Sequence, residues 1–376
     1  MVKLTWPQVA AWRVERQYLA KRAPTGRMLA VASRLCGLHA QVLSCAELMA
    51  WARVEGLKRG AVQRALWEDR TLIKTWAMRG TLHLLPCADL PLWQAALATS
   101  QRYNRPAIWR RFGLTMAEMD SLTKAIGTAL QDRVFTREEL AREVGRITGS
   151  AVFEKKLALG GWGTILKPAA FTGHLCFAPS VGPRVRFTCP NTWVAKAQPA
   201  METQAATAEV TRRFLAVYGP ATYHDLARWW GAGGVADARR WIAALGEEVA
   251  PVEVEGEKWW MLAADAREAR EFPRARSVRL LPAFDQYVIA ASRHAENFLC
   301  GAKRSLVYRL AGWVSPVLLV NGMMQGVWRH EVNGERVDVT IRPFVKLPPW
   351  VRSAAAEEAE RLAKFLGGKL KLDWKK

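Results

Sequence analysis

One short motif occurs three times along this chain and restricts the folds that it can adopt. The motif is a serine or threonine, two further residues, an acidic residue and then leucine, and its copies begin at Ser44, Thr136 and Thr222. The hydroxyl can accept a hydrogen bond from the backbone N–H three residues on, while the carboxylate covers the N–H groups of the first helical turn. The sequence therefore predicts three helices that start in the same way.

The segments around each motif are also alike. A longer helix is predicted before each copy, over 27–36, 115–130 and 202–218. A second helix and a β-hairpin are predicted after each copy. The apolar returning strands are assigned to 81–84, 174–177 and 258–261, which begin 37, 38 and 36 residues after the motif. Helix, short helix, second helix and hairpin is the order of a winged helix, so we expect three in tandem, at about 25–90, 110–190 and 200–263.

Beyond residue 263 the pattern changes from helices to strands. Apolar segments predict an antiparallel meander with hairpin turns at Asn321-Gly322 and Asn333-Gly334, and its strands lie within 278–289, 317–320, 324–329 and 336–341. A helix over 353–366 is expected to end at Gly367-Gly368, and the basic tail 369–376 is expected to fray.

The predicted fold class is therefore α+β, with three tandem winged helices and a C-terminal antiparallel β-domain. Because 376 residues exceed what a single core normally supports, several compact units are expected. Their predicted bounds are 1–95 for winged helix 1 with an N-terminal extension, 96–199 for winged helix 2, 200–263 for winged helix 3, and 264–376 for the β-domain with its terminal helix.

The charge of the chain indicates a polyanionic partner. Lys and Arg number 55 against 34 Asp and Glu, which gives a formal net charge of +21 at pH 7. For a chain of this kind nucleic acid is the commonest such partner. Two other interpretations stay open, namely a basic protein that is merely soluble and a set of winged helices that bind protein. The charge argues against the second.

Basic residues that are candidates for DNA contact lie in the second helix and hairpin of the first unit, in the arginine- and aromatic-rich stretch 101–111, and in the second unit. A solvated linker would have much the same composition as 101–111, and the basic groups of the hairpin would serve equally in packing. The glycines at 160–163 lack the Lys-Ser/Thr ending of a phosphate-binding loop and are expected to form a sharp turn. The candidates are Lys58, Arg59, Arg64, Arg79, His83, Arg105, Arg110, Arg111, Lys155, Lys156 and Lys167.

Cysteine spacing and hydropathy limit the metal sites and the cellular locations that the sequence favours. The six cysteines have irregular spacing, which indicates reduced, buried thiols, and Cys36, His39 and Cys45 lack a fourth partner at zinc-site spacing. We expect no metal and no organic cofactor. No apolar run reaches the roughly 18 residues that cross a bilayer, and the first residues lack the layout of a secretory signal. The expectation is a cytoplasmic, monomeric protein.

The triplet His39-Ala40-Gln41 is the candidate for chemistry. On an extended segment, side chains two residues apart point the same way, so His39 and Gln41 are expected to share a face while Ala40 packs behind them. On residue types alone, two satisfied surface groups are the commoner explanation of such a pair.

Four segments together carry a family resemblance: 37–41, 76–86, 280–285 and 317–328. They are similar to the AlkZ/YcaQ family of bacterial DNA glycosylases, and the similarity extends over nearly the whole chain. The resemblance implies three tandem winged helices and a C-terminal β-domain that form a concave clamp on duplex DNA. It also implies excision of bulky or crosslinking alkyl adducts at N7 of guanine, which in several members protects producers against their own genotoxins.

The family's catalytic signature is Gln-apolar-Gln or Gln-apolar-Asp, which by position falls on His39-Ala40-Gln41. Gln41 therefore matches the signature, whereas His39 departs from it and is either a general base for water or a positioning group. Asp285, in the family-like run 280–285, either completes the site, orients a neighbour or caps the end of a strand. We expect a monofunctional glycosylase acting on double-stranded DNA that carries alkylated guanine.

Other functions remain open on the sequence. A non-catalytic winged-helix transcription regulator would give a sequence-specific footprint on undamaged DNA. A structural chromatin or RNA-binding protein would bind tightly but independently of adducts. Because 55 residues are basic, a lysine that forms a Schiff base is also not eliminated, although no catalytic lysine stands out.

Overall fold

Helices and short strands alternate along the chain, and the fold is α+β as predicted. The computed structural model describes residues 1–100, 102–159, 163–194, 199–231, 233–272 and 276–375. The helices are α1 Trp6–Arg16, α2 Met28–Arg34, α3 Leu43–Arg53, α4 Ala61–Trp67, α5 Leu90–Ala98, α6 Pro106–Arg110, α7 Met116–Leu130, α8 Arg137–Thr148, α9 Ala151–Leu159, α10 Lys167–Phe171, α11 Pro190–Trp193, α12 Thr203–Tyr218, α13 Tyr223–Trp230, α14 Val235–Ala243, α15 Ala263–Glu271, α16 Gln286–Ala291 and α17 Pro349–Leu366.

The strands are mostly short and belong to small sheets. They are β1 Val2–Leu4, β2 Leu38–His39, β3 Leu72–Trp76, β4 Leu82–Pro86, β5 Phe135–Thr136, β6 Cys176–Val181, β7 Arg184–Thr188, β8 Val249–Val254, β9 Glu257–Leu262, β10 Val278–Leu281, β11 Val317–Val320, β12 Met323–Asn333, β13 Arg336–Pro343 and β14 Lys369–Trp374. Over the residues that are described, no helix combines the length and apolar character that crossing a bilayer requires.

The chain divides into two compact units that are interleaved in sequence. The first unit comprises Met1–Ala61, Thr211–Asp225 and Ile242–Lys376, and the second comprises Val62–Val210 and Leu226–Trp241. The first unit therefore includes the triplet 39–41 together with the whole C-terminal region.

The first unit is built around a five-stranded sheet in the order β10-β11-β12-β13-β14. The first four strands form the predicted antiparallel meander, and Asn321-Gly322 makes the tight turn between β11 and β12 with both residues at positive φ, 51° and 82°. Helix α17 packs on β10 and β14 and ends at Gly367, which has φ 82°. A second sheet, β1-β8-β9, lies in the same unit, and β1 was not predicted.

The second unit contains two β-hairpins and the helices around them. Strands β3 and β4 pair antiparallel with Thr75 opposite His83, and a separate sheet has the order β5-β7-β6. The core between them is aromatic, because the Trp76 ring lies 4.8 Å from the ring of Phe177, which is itself 5.2 Å from that of Phe187.

Two of the three predicted helix starts are confirmed. Thr136 and Glu139 form a reciprocal capping box, with Thr136 N–H donating to the Glu139 carboxylate at 2.7 Å and Glu139 N–H donating to the threonine hydroxyl at 3.3 Å. Thr222 and Asp225 do the same at 2.9 and 3.2 Å. In both cases the threonine and the acidic residue form the reciprocal hydrogen bonds of a capping box.

The third predicted cap, at Ser44, is wrong. Helix α3 already begins at Leu43, with extended Val42 as its N-cap, so Ser44 lies inside the first turn. The Glu47 carboxylate accepts a hydrogen bond from Gly60 N–H at 2.6 Å, in the loop that follows α3. Glu47 thus fastens that loop to the helix and does not close a capping box.

The strand assigned to 174–177 is also wrong in role. The hairpin turns at Gly182, so β6 is the outgoing strand and β7 the returning one. The nearly equal distances from motif to strand therefore joined two returning strands with one outgoing strand, which is not equivalent to them. The order of three helices and a hairpin nevertheless recurs three times: α2, α3, α4 with β3-β4; α7, α8, α9 with β6-β7; and α12, α13, α14 with β8-β9.

Two predictions for the C-terminal region need correction. The segment 278–289 is not one strand, because β10 ends at Leu281 and Asp285 caps the short helix α16 by accepting a hydrogen bond from Tyr287 N–H at 2.9 Å. The tail does not fray over 369–374 but forms β14, which pairs parallel with β13, Val337 lying opposite Leu370. The C-terminal sheet is therefore mixed, not purely antiparallel.

Candidate active site

The triplet 39–41 lies in a short link between α2 and α3. Helix α2 ends in a Schellman arrangement, in which Cys36 N–H donates to Ser33 O at 3.0 Å and Gly37 N–H donates to Ala32 O at 2.7 Å. Cys36 and Gly37 both have positive φ, 62° and 93°, so the chain reverses sharply before it enters β2. This turn sets the direction in which the triplet leaves the helix.

Exposure separates the two polar residues of the triplet. Ala40 is fully buried, as expected, and Gln41 is exposed. His39 is only 4% exposed. Only Gln41 is therefore open to solvent, and that the two side chains share a face stays a prediction.

An aromatic neighbour holds the face of the His39 ring. The Phe284 ring stacks on the imidazole with centroids 5.5 Å apart and planes inclined by 26°. Phe284 also meets Trp313 edge to face at 4.8 Å, and Trp313 is 44% exposed. A row of three rings thus leads from the buried histidine to the surface of the first unit.

Asp285 follows Phe284 directly and is fully buried. Its two carboxylate oxygens accept hydrogen bonds from the Arg53 guanidinium at 2.7 and 2.8 Å, and Arg53 is also fully buried. Arg53 is the last residue of α3, the helix that begins two residues after Gln41. The structure therefore gives Asp285 an ion-pairing and helix-capping role behind the site.

A third consecutive residue, Gln286, reaches the turn before β2. Its side-chain amide donates to Leu35 O and lies 3.1 Å from both Leu35 O and the Tyr218 hydroxyl. The Tyr218 hydroxyl donates to the same carbonyl at 2.8 Å. Leu35 is the residue just before the positive-φ pair, so the backbone that carries His39 is fastened by side chains from two distant segments.

Four of these residues, Arg53, Tyr218, Phe284 and Gln286, were not predicted as members of the site. Arg53 carried a signal, because a lone arginine at the end of the apolar run 48–54 requires a buried partner. Phe284 lay within the family-like run 280–285 but looked like an ordinary core residue. Nothing in the local sequence of Tyr218 or Gln286 indicates a link to residue 35.

The basic candidates near α4 are exposed but partly engaged. The sequence placed these residues in the second helix of the first unit. Lys58 and Arg59 lie instead in the loop before α4, and only Arg64 lies within the helix. Arg59 donates to Leu366 O at 2.7 Å, which covers a carbonyl at the end of α17. Arg64 lies 3.6 Å from the Glu68 carboxylate one turn on, and both side chains are well exposed.

The two candidates of the first hairpin face inward. His83 is fully buried, and its Nδ1 lies 3.0 Å from Thr81 O. Arg79, with φ 59°, donates to Trp229 O at 2.9 Å and lies 3.4 Å from the His83 ring. This geometry favours the packing alternative for both residues.

The remaining candidates differ in their availability. Arg105, Arg110, Arg111 and Lys155 are exposed. Lys156 is partly buried and donates to Phe112 O.

Lys167, at the start of α10, is also partly buried. Burial lowers the pKa of its ammonium group, and the nearby charge of Arg102 lowers it further. The turn predicted at 160–163 lies outside the described residues except for Gly163. Within the described ranges, no three His, Cys, Asp or Glu side chains converge as a metal site would require.

Comparisons with known proteins agree with the extent of the sequence resemblance. A sequence profile described as "DNA glycosylase AlkZ-like" matches residues 32–365. The Interstrand DNA cross-link repair glycosylase of Streptomyces sahachiroi is 35% identical over 369 residues, which cover 97% of this chain and 98% of that protein. The solved structure of Streptomyces sahachiroi DNA glycosylase AlkZ matches with a TM-score of 0.88 at 35% identity and covers 100% of both chains. The likeness therefore spans the whole chain.

Proposed function

The chain belongs to the AlkZ-like DNA glycosylase family, and from that premise we propose that it hydrolyses the N-glycosidic bond of bulky N7-alkylguanine in duplex DNA. The observation that carries the proposal is the position of Gln41. It falls on the glutamine of the family signature, it is exposed, and it follows a turn that several buried hydrogen bonds hold in place.

The reaction needs little acid catalysis from the protein. An N7-alkylated guanine already carries positive charge, so the base departs readily. The protein must instead hold a water molecule near the sugar C1′ and stabilise the positive charge that develops on the sugar. The amide oxygen of Gln41 can accept a hydrogen bond from that water and direct its dipole at the sugar.

We assign His39 a positioning role. A general base must lie within hydrogen-bonding distance of the water that it deprotonates. With 4% exposure and one face covered by Phe284, the imidazole has little surface to offer a water molecule. Holding the backbone of Ala40 and Gln41 against the interior is the role that this burial favours.

Asp285 supports the same arrangement from behind. Its ion pair with Arg53 joins the end of α3 to the start of α16, and α3 begins two residues after the triplet. We propose that Asp285 orients its neighbours and does not itself meet the substrate, because it is fully buried and both of its oxygens are engaged.

The exposed basic residues are proposed to contact the phosphates of the duplex. We retain the predicted bounds of three winged helices and a β-domain, which the threefold recurrence of three helices and a hairpin supports. A clamp-like cleft would suit a bulky adduct, since extruding such a base from the stack is costly. The residues proposed for DNA contact are Lys58, Arg59, Arg64, Arg105, Arg110, Arg111 and Lys155.

The relative from Streptomyces sahachiroi bears the name of an interstrand cross-link repair glycosylase. We propose that this chain likewise acts on crosslinked or bulky N7 adducts, as a monomer in the cytoplasm. A role in protecting its host from a genotoxic product is part of the same proposal.

The test is incubation of the protein with three duplexes: undamaged DNA, DNA carrying N7-methylguanine, and DNA crosslinked through N7 of guanine. The proposal predicts an abasic site without strand cleavage in both damaged duplexes. Free N7-methylguanine is released from the methylated duplex, whereas cleavage of one glycosidic bond in the crosslinked duplex separates the strands and leaves the excised base attached to the opposite strand. If neither adduct is excised and all three duplexes bind equally, the proposal fails. A sequence-specific footprint on the undamaged duplex would then favour a transcription regulator.

A further inference from the structure

We infer that Phe284 is a positioning residue for His39, and that its backbone is held in a left-handed conformation for that purpose. The inference rests on the proposed function, since His39 matters only if the triplet is the site.

The backbone of Phe284 is in an unusual state. Its φ of 59° lies in the left-handed region, which a large side chain rarely adopts and which a protein retains only where the surroundings enforce it. Such residues cluster at functional sites. The strain therefore indicates that this conformation serves a function.

Contacts of the Phe284 backbone and of the next residue hold this conformation. Its own N–H donates to Val314 O at 3.2 Å. The next residue, Asp285, is fixed by Arg53 at 2.7 and 2.8 Å and by Tyr287 N–H at 2.9 Å. The peptide is thus anchored on both sides, and rotation about φ would break a buried ion pair.

The anchored ring meets the one aromatic side chain of the triplet. It lies nearly parallel to the His39 imidazole, at 26° and 5.5 Å, and is itself 8% exposed. Trp313 packs edge to face on it at 4.8 Å, a second aromatic contact that restricts the phenyl ring. The imidazole plane is consequently set by a ring that is itself held by its backbone and by Trp313.

The alternative is that Phe284 only fills the core. Phe298 provides the matched control: it is fully buried in the same unit, and its ring lies 5.5 Å from that of Trp6 and 6.2 Å from that of Tyr287. Replacing either phenylalanine by leucine removes a ring and keeps an apolar side chain. At residue 284 leucine also keeps the branching at Cβ unchanged, so the backbone strain is similar and the comparison isolates the ring.

The experiment compares wild type, Phe284→Leu, Phe298→Leu and Phe284→Tyr at a temperature at which all four are folded. Single-turnover excision from N7-methylguanine DNA, affinity for that DNA, and the NMR signals of the His39 ring protons are measured. The inference predicts that Phe284→Leu lowers the excision rate roughly 10- to 100-fold with unchanged DNA affinity. A displaced His39 ring would misplace Gln41, and small misplacements of a catalytic group have effects of this size. It also predicts a displaced His39 signal, restoration of most of the rate by Phe284→Tyr, and no such effects in Phe298→Leu.

Two results would overturn the inference: an unchanged His39 signal in Phe284→Leu, or equal losses of rate in Phe284→Leu and Phe298→Leu. The NMR comparison does not require catalysis. If wild type excises nothing, the proposed function fails, and the His39 signal still decides whether Phe284 holds the ring.

Discussion

Arg53 and Asp285 form a bidentate ion pair, with N–O distances of 2.7 and 2.8 Å, in which neither side chain has any solvent exposure. The pair is 232 residues apart in sequence and joins the end of α3 to the start of α16. Removing two charges from water is expensive, and the pair offsets that cost only while both partners are present. The support of the candidate site therefore depends on a contact that is sensitive to the loss of either residue.

Asp285→Asn is expected to destabilise the protein strongly. The change leaves the Arg53 charge buried without a counter-ion, and breaking a buried pair in this way typically costs about 3–5 kcal/mol. Urea denaturation at pH 7 measures the loss. The control is Asp338→Asn. Its carboxylate is partly exposed and lies 3.1 Å from Arg336 Nε on the same strand, so this change is expected to have a much smaller effect. Equal losses in the two variants would show that the buried pair has no special weight.

Acid is expected to weaken the fold through Asp225. Burial alone would raise the pKa of this carboxyl group, but hydrogen bonds and charge from His294 together with hydrogen bonds from Thr222 hold it at about 2. A carboxyl whose pKa is lower in the folded than in the unfolded chain contributes stability above the unfolded value near 3.8, and the contribution disappears as pH falls towards 2. The lowering corresponds to about 2 kcal/mol.

Asp225→Asn should accordingly be less stable than wild type at pH 7, with a difference that shrinks between about pH 5 and pH 2. Urea denaturation across this range measures it. Asp69→Asn, at an exposed carboxyl group, serves as the control. A constant gap for Asp225→Asn would mean that its carboxyl group titrates alike in both states.

The exposed arginines at 105, 110 and 111 are expected to contribute to DNA affinity through phosphate contacts. Each such contact adds about 0.9 to the slope of log affinity against log salt concentration. The triple change to glutamine should lower that slope by roughly 2 to 3. Arg146→Gln is the control, because Arg146 is exposed but bonded to Glu143 at 2.8 and 2.9 Å. If the triple variant keeps the wild-type slope, these arginines do not touch the duplex.

His39→Gln converts the triplet to the Gln-Ala-Gln form of the family signature. A positioning role predicts that excision continues within about tenfold of wild type and that its pH profile between about 5.5 and 7.5 is unchanged. Single-turnover rates across this range provide the measurement. A profile that becomes flat in the variant would instead identify His39 as the general base.

Short sequence motifs correctly predicted the helix ends and turns whose hydrogen bonds join residues close in sequence. The capping box of Thr136, the turn at Asn321-Gly322 and the end of α17 at Gly367 are all confirmed, because each depends on residues within a few positions. The cap at Ser44 failed because Glu47 bonds to Gly60, thirteen residues on. The tail formed a strand because β13 offered it an edge for parallel pairing, which its own composition does not reveal.

The candidate site shows the same division. The position of the triplet follows from the sequence through its family resemblance, but the burial of His39 depends on Phe284, some 245 residues away. The left-handed backbone of Phe284 and the link from Gln286 to Leu35 arise from contacts between distant segments. Sequence periodicity carries no information on such contacts, so the framework of the site became apparent only in three dimensions.

The central claim is that Gln41 performs the chemistry, and the most direct measurement is the single-turnover excision rate of Gln41→Ala on N7-alkylguanine duplex, with DNA affinity measured in parallel. The account predicts a loss of about 100-fold or more in rate, in line with the usual effect of removing a group that activates water, with affinity little changed. Excision at the wild-type rate by Gln41→Ala would contradict it.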